Sequence, residues 1–216
     1  MEMEIKKLVL GIVHSNCYIV TDPDSGESVV IDPGAGDPAL LEAVRPLRVR
    51  YILATHRHFD HVLGVGALKE ITGAQVAIHE RDACGLTDGR HSLASMVQES
   101  MPAAEPDILL RGGAVLPFAN SQIEVLHTPG HTMGSVCFLL DGVLFSGDTL
   151  FQSSCGRLDL PTGSRQDMTA SLRRLSELPG ETRVLSGHGA ESTITAEKKN
   201  NPYMKAALGG AQSDGR

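Results

Sequence analysis

The chain is 216 residues long, 41% hydrophobic and 21% charged, a balance that suits one globular domain able to bury its own core. Its formal charge of −7 argues against a broad nucleic-acid surface, which needs clustered lysine and arginine. No apolar run approaches the roughly 18 residues of a membrane span, and the acidic start, Met1-Glu2-Met3-Glu4, lacks the basic-then-apolar pattern of a secretory signal.

Short runs rich in Ile and Val predict strands at 5–13, 16–21 and 28–31, the last two joined by the hairpin loop Asp22-Pro23-Asp24-Ser25-Gly26. Asp37 as N-cap and Pro38 in the first turn start a helix with Leu40, Leu41, Val44 and Leu47 on its apolar face. A strand at 51–55 is followed by a helix at 62–70, with Asp60 and His61 at its N-terminus and Gly73 as its stop. Another strand is expected at 75–78. From 81 to 110 the pattern is weak and broken by glycine and proline, with one short helix expected at 92–99; a loop this long suits an access wall or lid. Strands return at 114–116, 123–126, 136–140 and 143–145, with Asp141-Gly142 as a tight turn. A helix at 165–178, through Met168, Leu172 and Leu175, precedes a final strand at 183–185. One domain over 1–208 and a frayed Gly/Ser-rich tail at 209–216 complete the plan.

The four cysteines, Cys17, Cys84, Cys137 and Cys155, are widely spaced and form no CxxC pair, as in a reduced, cytoplasmic protein. Cys155 lies near the motif-bearing segments, where an oxidation-sensitive thiol and a bystander are the two readings.

Chemistry concentrates in Thr55-His56-Arg57-His58-Phe59-Asp60-His61. Three histidines and an aspartate within six residues form a metal-binding arrangement. Extended backbone through His56 and His58 points both imidazoles to one side, and a turn lets Asp60 and His61 face a second point nearby. His131, Asp148 and His188 each sit in a Gly-rich loop right after a predicted strand. His79 and His91 lack ligand spacing to any neighbour and are not expected to bind metal.

These motifs, His56-Arg57-His58-Phe59-Asp60-His61, Gly130-His131-Thr132, Gly147-Asp148-Thr149 and Gly187-His188-Gly189, with Ile31-Asp32-Pro33-Gly34 before them, resemble those of the metallo-β-lactamase superfamily in type and order. The resemblance covers residues 5–204 and implies an α/β fold, a four-layer αββα sandwich of two mixed β-sheets. It implies that His56, His58 and His131 hold one divalent ion, that Asp60, His61 and His188 hold a second, and that Asp148 bridges both. Zinc is the expected metal, with iron or manganese as alternatives. Two such ions make hydroxide available near neutral pH and polarise a carbonyl, while Asp60 orients the attacking group. Asp32 either orients a ligand histidine or caps a turn.

Two further stretches, Cys155-Gly156-Arg157-Leu158-Asp159-Leu160-Pro161 and Glu197-Lys198-Lys199-Asn200-Asn201-Pro202-Tyr203, look like the short bacterial glyoxalase II-like (hydroxyacylglutathione hydrolase-like) subgroup. That likeness implies hydrolysis of a small-molecule thioester, S-D-lactoylglutathione or a relative, with neither nucleic acid nor membrane as partner. Arg157 either meets a substrate carboxylate or forms a structural ion pair. The rivals are a mono-iron persulfide dioxygenase of the same fold and a lactonase.

Overall fold

The computed structural model describes residues 2–100 and 103–209. Strands β1 (Glu4–Leu10), β2 (Ser15–Thr21) and β3 (Glu27–Ile31) pair antiparallel in sequence order. The first strand stops at Leu10, short of the expected 13. Gly11 (φ 67) and His14 (φ 57) take left-handed conformations there, which turn the chain back into β2. Helix α1 (Pro38–Val44) starts as expected, with the Asp37 carboxylate accepting from the Ala39 N–H at 2.8 Å. Strand β4 (Arg48–Leu53) then lies parallel to β3.

The helix expected at 62–70 is two pieces, α2 (Phe59–Val62) and α3 (Val65–Thr72). The break falls at Gly64, whose N–H bonds the Pro33 carbonyl at 2.8 Å; a Cβ there would press on Ala35 and Pro33 backbone. Asp60 and His61 therefore lie within a short helix of their own. Strands β5 (Gln75–His79) and β6 (Ile108–Leu110) complete a six-stranded sheet in the order β1 to β6. Between them, the helix expected at 92–99 is only a 3₁₀ turn, Ala94–Met96, entered through left-handed Leu93.

The second sheet uses the next six strands: β7 (Val115–Phe118), β8 (Ser121–His127), β9 (Val136–Leu140), β10 (Val143–Gly147), β11 (Arg183–Ser186) and β12 (Ser192–Thr193). Helix α4 (Arg165–Leu175), capped by Ser164, connects β10 to its parallel neighbour β11. Two elements not read from the sequence follow, α5 (Ile194–Asn200) and α6 (Pro202–Gly209). Apart from Gly209, the last residue of α6, the tail expected to fray lies outside the described residues.

Alternation along the strands makes three apolar layers from two sheets. In β2, Cys17 and Ile19 face outward, packing with Val30, Ile52, Leu40 and Leu68 under α1 and α3. Tyr18 and Val20 face inward and meet Phe118, Phe138 and Phe145 of the other sheet; the Tyr18 and Phe145 rings sit edge to face, 5.4 Å apart. Beneath the second sheet, Leu144 and Val184 pack on Met168 and Leu172 of α4 and Met204 of α6. The result is an αββα sandwich.

Candidate metal centre

Strands β3, β4 and β5 run parallel, and so do β10 and β11; β8, two antiparallel steps from β10, shares its direction. Their carboxyl ends therefore open on one edge of the sandwich. Asp32 follows β3, His56 and His58 follow β4, His131 follows β8, Asp148 follows β10 and His188 follows β11. Loops bearing the candidate ligands, far apart in sequence, thus arrive at one place because of strand direction.

The seven side chains named from the sequence converge there. His56, His58 and His131 form one group with ligand atoms within 4.8 Å of one another, and Asp60, His61 and His188 form another. Asp148 lies between them. Its Oδ1 is 3.4 Å from His61 Nε2, and its Oδ2 is 3.5 Å from His131 Nε2 and 3.7 Å from His188 Nε2. Gly187 lets the last loop come this close, since a Cβ there would collide with Asp148 Oδ1 and His61 Cε1.

For His61, His56 and His131, hydrogen bonds on the far side of the ring decide which nitrogen faces the centre. His61 Nδ1 donates to Asp32 Oδ2 at 2.9 Å. The Thr55 hydroxyl donates to the same oxygen at 2.7 Å and so accepts from His56 Nδ1 at 3.1 Å. His131 Nδ1 donates to the Arg157 carbonyl at 2.8 Å. This leaves His131 Nε2 as an acceptor, facing His58 Nδ1 at 2.8 Å.

The inward atoms His56 Nε2, His61 Nε2 and Asp148 Oδ1 are buried without a hydrogen-bond partner. Leaving such atoms unpaired is costly, so native proteins do it where something else supplies the partner. Imidazole nitrogens and carboxylate oxygens aimed at common points are a donor set that divalent transition metals fit.

The electrostatics of the metal-free site suit that use at His56 and His58, whereas His61 would give up a proton on ligating. Burial, then the neighbouring His131, lowers the His58 pKa to about 3, and burial with His61 pushes His56 well below the ordinary histidine value. Both are thus neutral and ready to ligate. Burial would also discharge His61, but the carboxylates of Asp60, Asp148 and Asp32 outweigh it and hold its pKa well above the usual range. Burial opposes ionising Asp60 and Asp148, yet the surrounding histidines, His61 foremost, keep both below the ordinary carboxylate value.

Other residues singled out in the sequence take different places. The Arg157 guanidinium is exposed and pairs with Asp159 at 2.7 Å, while its carbonyl holds His131. His79 stacks on His127, centroids 4.3 Å apart, and His91 sits beside Asp88 on the surface. Sequence reasoning passed over Thr55, which links His56 to Asp32. It also missed Asn16, whose amide donates to the carbonyls of Ser186 and Gly189 around His188. A polar residue opening the apolar run expected as a strand at 16–21 was the available signal for Asn16.

The family model of the metallo-beta-lactamase superfamily matches residues 10–188. An uncharacterized protein of Aquifex aeolicus is 40% identical over 96% of this chain and 100% of its own length. The hydroxyacylglutathione hydrolase of Cereibacter sphaeroides is 36% identical, across 92% of this chain and 74% of its own length. Among solved structures, BLEG-1 B3 metallo-beta-lactamase superposes with a TM-score of 0.87 at 35% identity, over 93% of this chain and 99% of that one. TTHA1623 in a di-iron-bound form gives 0.80 at 37% identity, over 92% and 99%.

Proposed function

This chain belongs to the metallo-beta-lactamase superfamily, and its relatives named as hydrolases support a metallo-hydrolase; we propose that it hydrolyses thioesters of the glyoxalase II type, S-D-lactoylglutathione or a related acyl thioester, to acid and thiol. The observation that carries this reading is the division of the ligands into two groups around one carboxylate, Asp148. The hydroxyacylglutathione hydrolase relative supports the thioester as substrate class. His56, His58 and His131 would hold one divalent ion and Asp60, His61 and His188 the other, with Asp148 shared. The di-iron form of a similar structure supports the count of two, and zinc is the metal we expect. Bound divalent ions supply Lewis acidity, which polarises a scissile carbonyl and makes hydroxide available near neutral pH.

The protein's own groups divide the remaining work. Asp60 Oδ2 accepts from His188 Nε2 at 3.1 Å, and its side chain keeps 13% of its surface exposed. From there it would orient the attacking water and carry a proton toward the leaving sulfur. A thiol leaving group, of pKa about 8.5, needs little acid help. Asp32 would fix His61 directly and His56 through Thr55. Arg157 lies at the lip of an open cleft of about 500 Å³ shared with Cys155, Arg165 and Tyr203. A substrate carboxylate would bind Arg157 there by displacing Asp159. All four cysteines are free, as befits action in the cytoplasm.

The test is release of free thiol from S-D-lactoylglutathione by metal-loaded protein, with and without a chelator. Turnover that the chelator abolishes supports the assignment. A loaded protein that releases no thiol from this or other acyl glutathiones removes it. Oxygen uptake with glutathione persulfide would then establish the dioxygenase reading. Hydrolysis of a lactone would establish the lactonase reading, and hydrolysis of a β-lactam the activity in the name of the B3 structural relative.

A further inference from the structure

Between the ligands His56 and His58, the Arg57 side chain points away from the centre into the protein. Its guanidinium is 6% exposed and faces the wholly buried carboxylate of Asp82, Nε to Oδ1 at 3.9 Å. Asp82 is outside the metal groups, yet its Oδ2 accepts from two of the loops that carry them. One donor is the Arg57 main-chain N–H, at 3.2 Å; the other is the hydroxyl of Thr132, next to His131, at 2.5 Å. Thr132 is fixed in turn by Ser135, whose hydroxyl accepts from the Thr132 N–H at 3.0 Å.

The guanidinium extends the tie to a third loop. It donates to the Pro161 carbonyl at 3.3 Å and the Thr162 hydroxyl at 3.1 Å. Thr162 also accepts from the Met133 N–H at 3.3 Å. Thus the segments carrying His56, His58 and His131 are joined through one buried pair. The Asp60–His61–His188 group is held by other contacts, through Asp32, Ser15 and Asn16.

We propose that Asp82, paired with Arg57, is a positioning residue for the His56–His58–His131 triad and not for the Asp60–His61–His188 triad. A buried carboxylate is expensive to keep unless its partners require it. Here both hydrogen-bond donors adjoin ligands of a single triad. The inference rests on the two-ion reading above, but it concerns the difference between two sites in one molecule, which activity alone does not report.

The test is chelator competition against protein loaded with cobalt(II), read by metal content and by the visible cobalt bands. Asp82→Ala should weaken one ion by about 10- to 100-fold, the usual cost of losing a residue that orients ligands, and leave the other within about twofold. Asp82→Asn keeps an acceptor for Arg57 N–H and Thr132 Oγ–H and should restore most of the loss. If Asp82→Ala does not fold, Thr132→Val, which removes one donor and little volume, should show the same one-ion weakening in smaller degree.

Equal weakening of both ions, or unchanged affinities for both, would overturn the assignment. Wild-type protein that binds only one ion would contradict the two-ion reading. In that case weakening of the single ion by Asp82→Ala keeps the positioning role, and unchanged affinity removes it.

Discussion

Asp32 Oδ2 stands 2.9 Å from His61 Nδ1 and 2.7 Å from the Thr55 hydroxyl, so one carboxylate oxygen orients ligands in both halves of the centre. Asp32 Oδ1 also accepts from the Thr55 N–H at 2.7 Å. Asp32→Ala would leave these buried donors without an acceptor, at about 1–3 kcal/mol each. We expect metal-free Asp32→Ala to lose about 3 kcal/mol or more in urea unfolding, and the loaded variant to bind both ions more weakly. A loss below about 1 kcal/mol would reduce Asp32 to an ordinary turn residue.

Asp148 presents one oxygen to His61 and the other to His131 and His188. Asp148→Ala should therefore empty both halves of the centre, not one. Metal analysis after gel filtration decides the matter: full occupancy in the variant is incompatible with a bridging carboxylate.

Cys155 borders the cleft beside Arg157, but burial pushes its thiol up to about 11. It is therefore protonated at neutral pH and a poor nucleophile. Cys155→Ala should keep kcat/KM within about twofold of wild type, and iodoacetamide should label Cys155 slowly at pH 7. A collapse of kcat in that variant would assign the thiol a chemical role.

The metal-free protein should be most stable near pH 6.5. Below that, the unfolded chain takes up protons that the folded chain refuses. Burial holds His58 at about 3 and, with His127 stacked beside it, His79 at about 4; His56 lies well below its usual value. The unfolded state then binds more protons, so stability falls as pH drops from 6.5 toward 4. Above 6.5 the sign reverses, because carboxylates overcome burial and His61 keeps a proton that the unfolded chain loses. Urea midpoints measured across pH 4–9 should pass through a maximum. A midpoint rising steadily to the alkaline end would mean that His61 is uncharged without metal.

The candidate ligands were legible in the sequence because His56, His58, Asp60 and His61 cluster within six residues after an apolar run, and His131, Asp148 and His188 each stand beside glycine after a predicted strand. The four-layer fold followed from the family resemblance. What stayed hidden depends on contacts between distant segments. Asp82 lies 25 residues from Arg57 and 50 from Thr132, and nothing local distinguishes it from a surface aspartate. The break at Gly64 arises from the backbone of the loop at Pro33–Ala35, whereas the residues around it keep helical spacing. Helices α5 and α6 escaped because 194–200 is rich in charged and polar residues. Their start signals, Thr193 capping Ala196 and Asn201 capping Met204 ahead of Pro202, are side-chain hydrogen bonds visible only once formed.

The two sheets are made from consecutive stretches of chain, β1–β6 ending at Leu110 and β7–β12 beginning at Val115. His56, His58, Asp60 and His61 belong to the first stretch, and His131, Asp148 and His188 to the second. During synthesis, then, the amino-terminal sheet emerges with its four ligands at one rim and no third imidazole for His56 and His58. Neither triad is complete until the second half has been translated and docked. Ions held as proposed would therefore be captured last, and would join two halves that leave the ribosome one after the other.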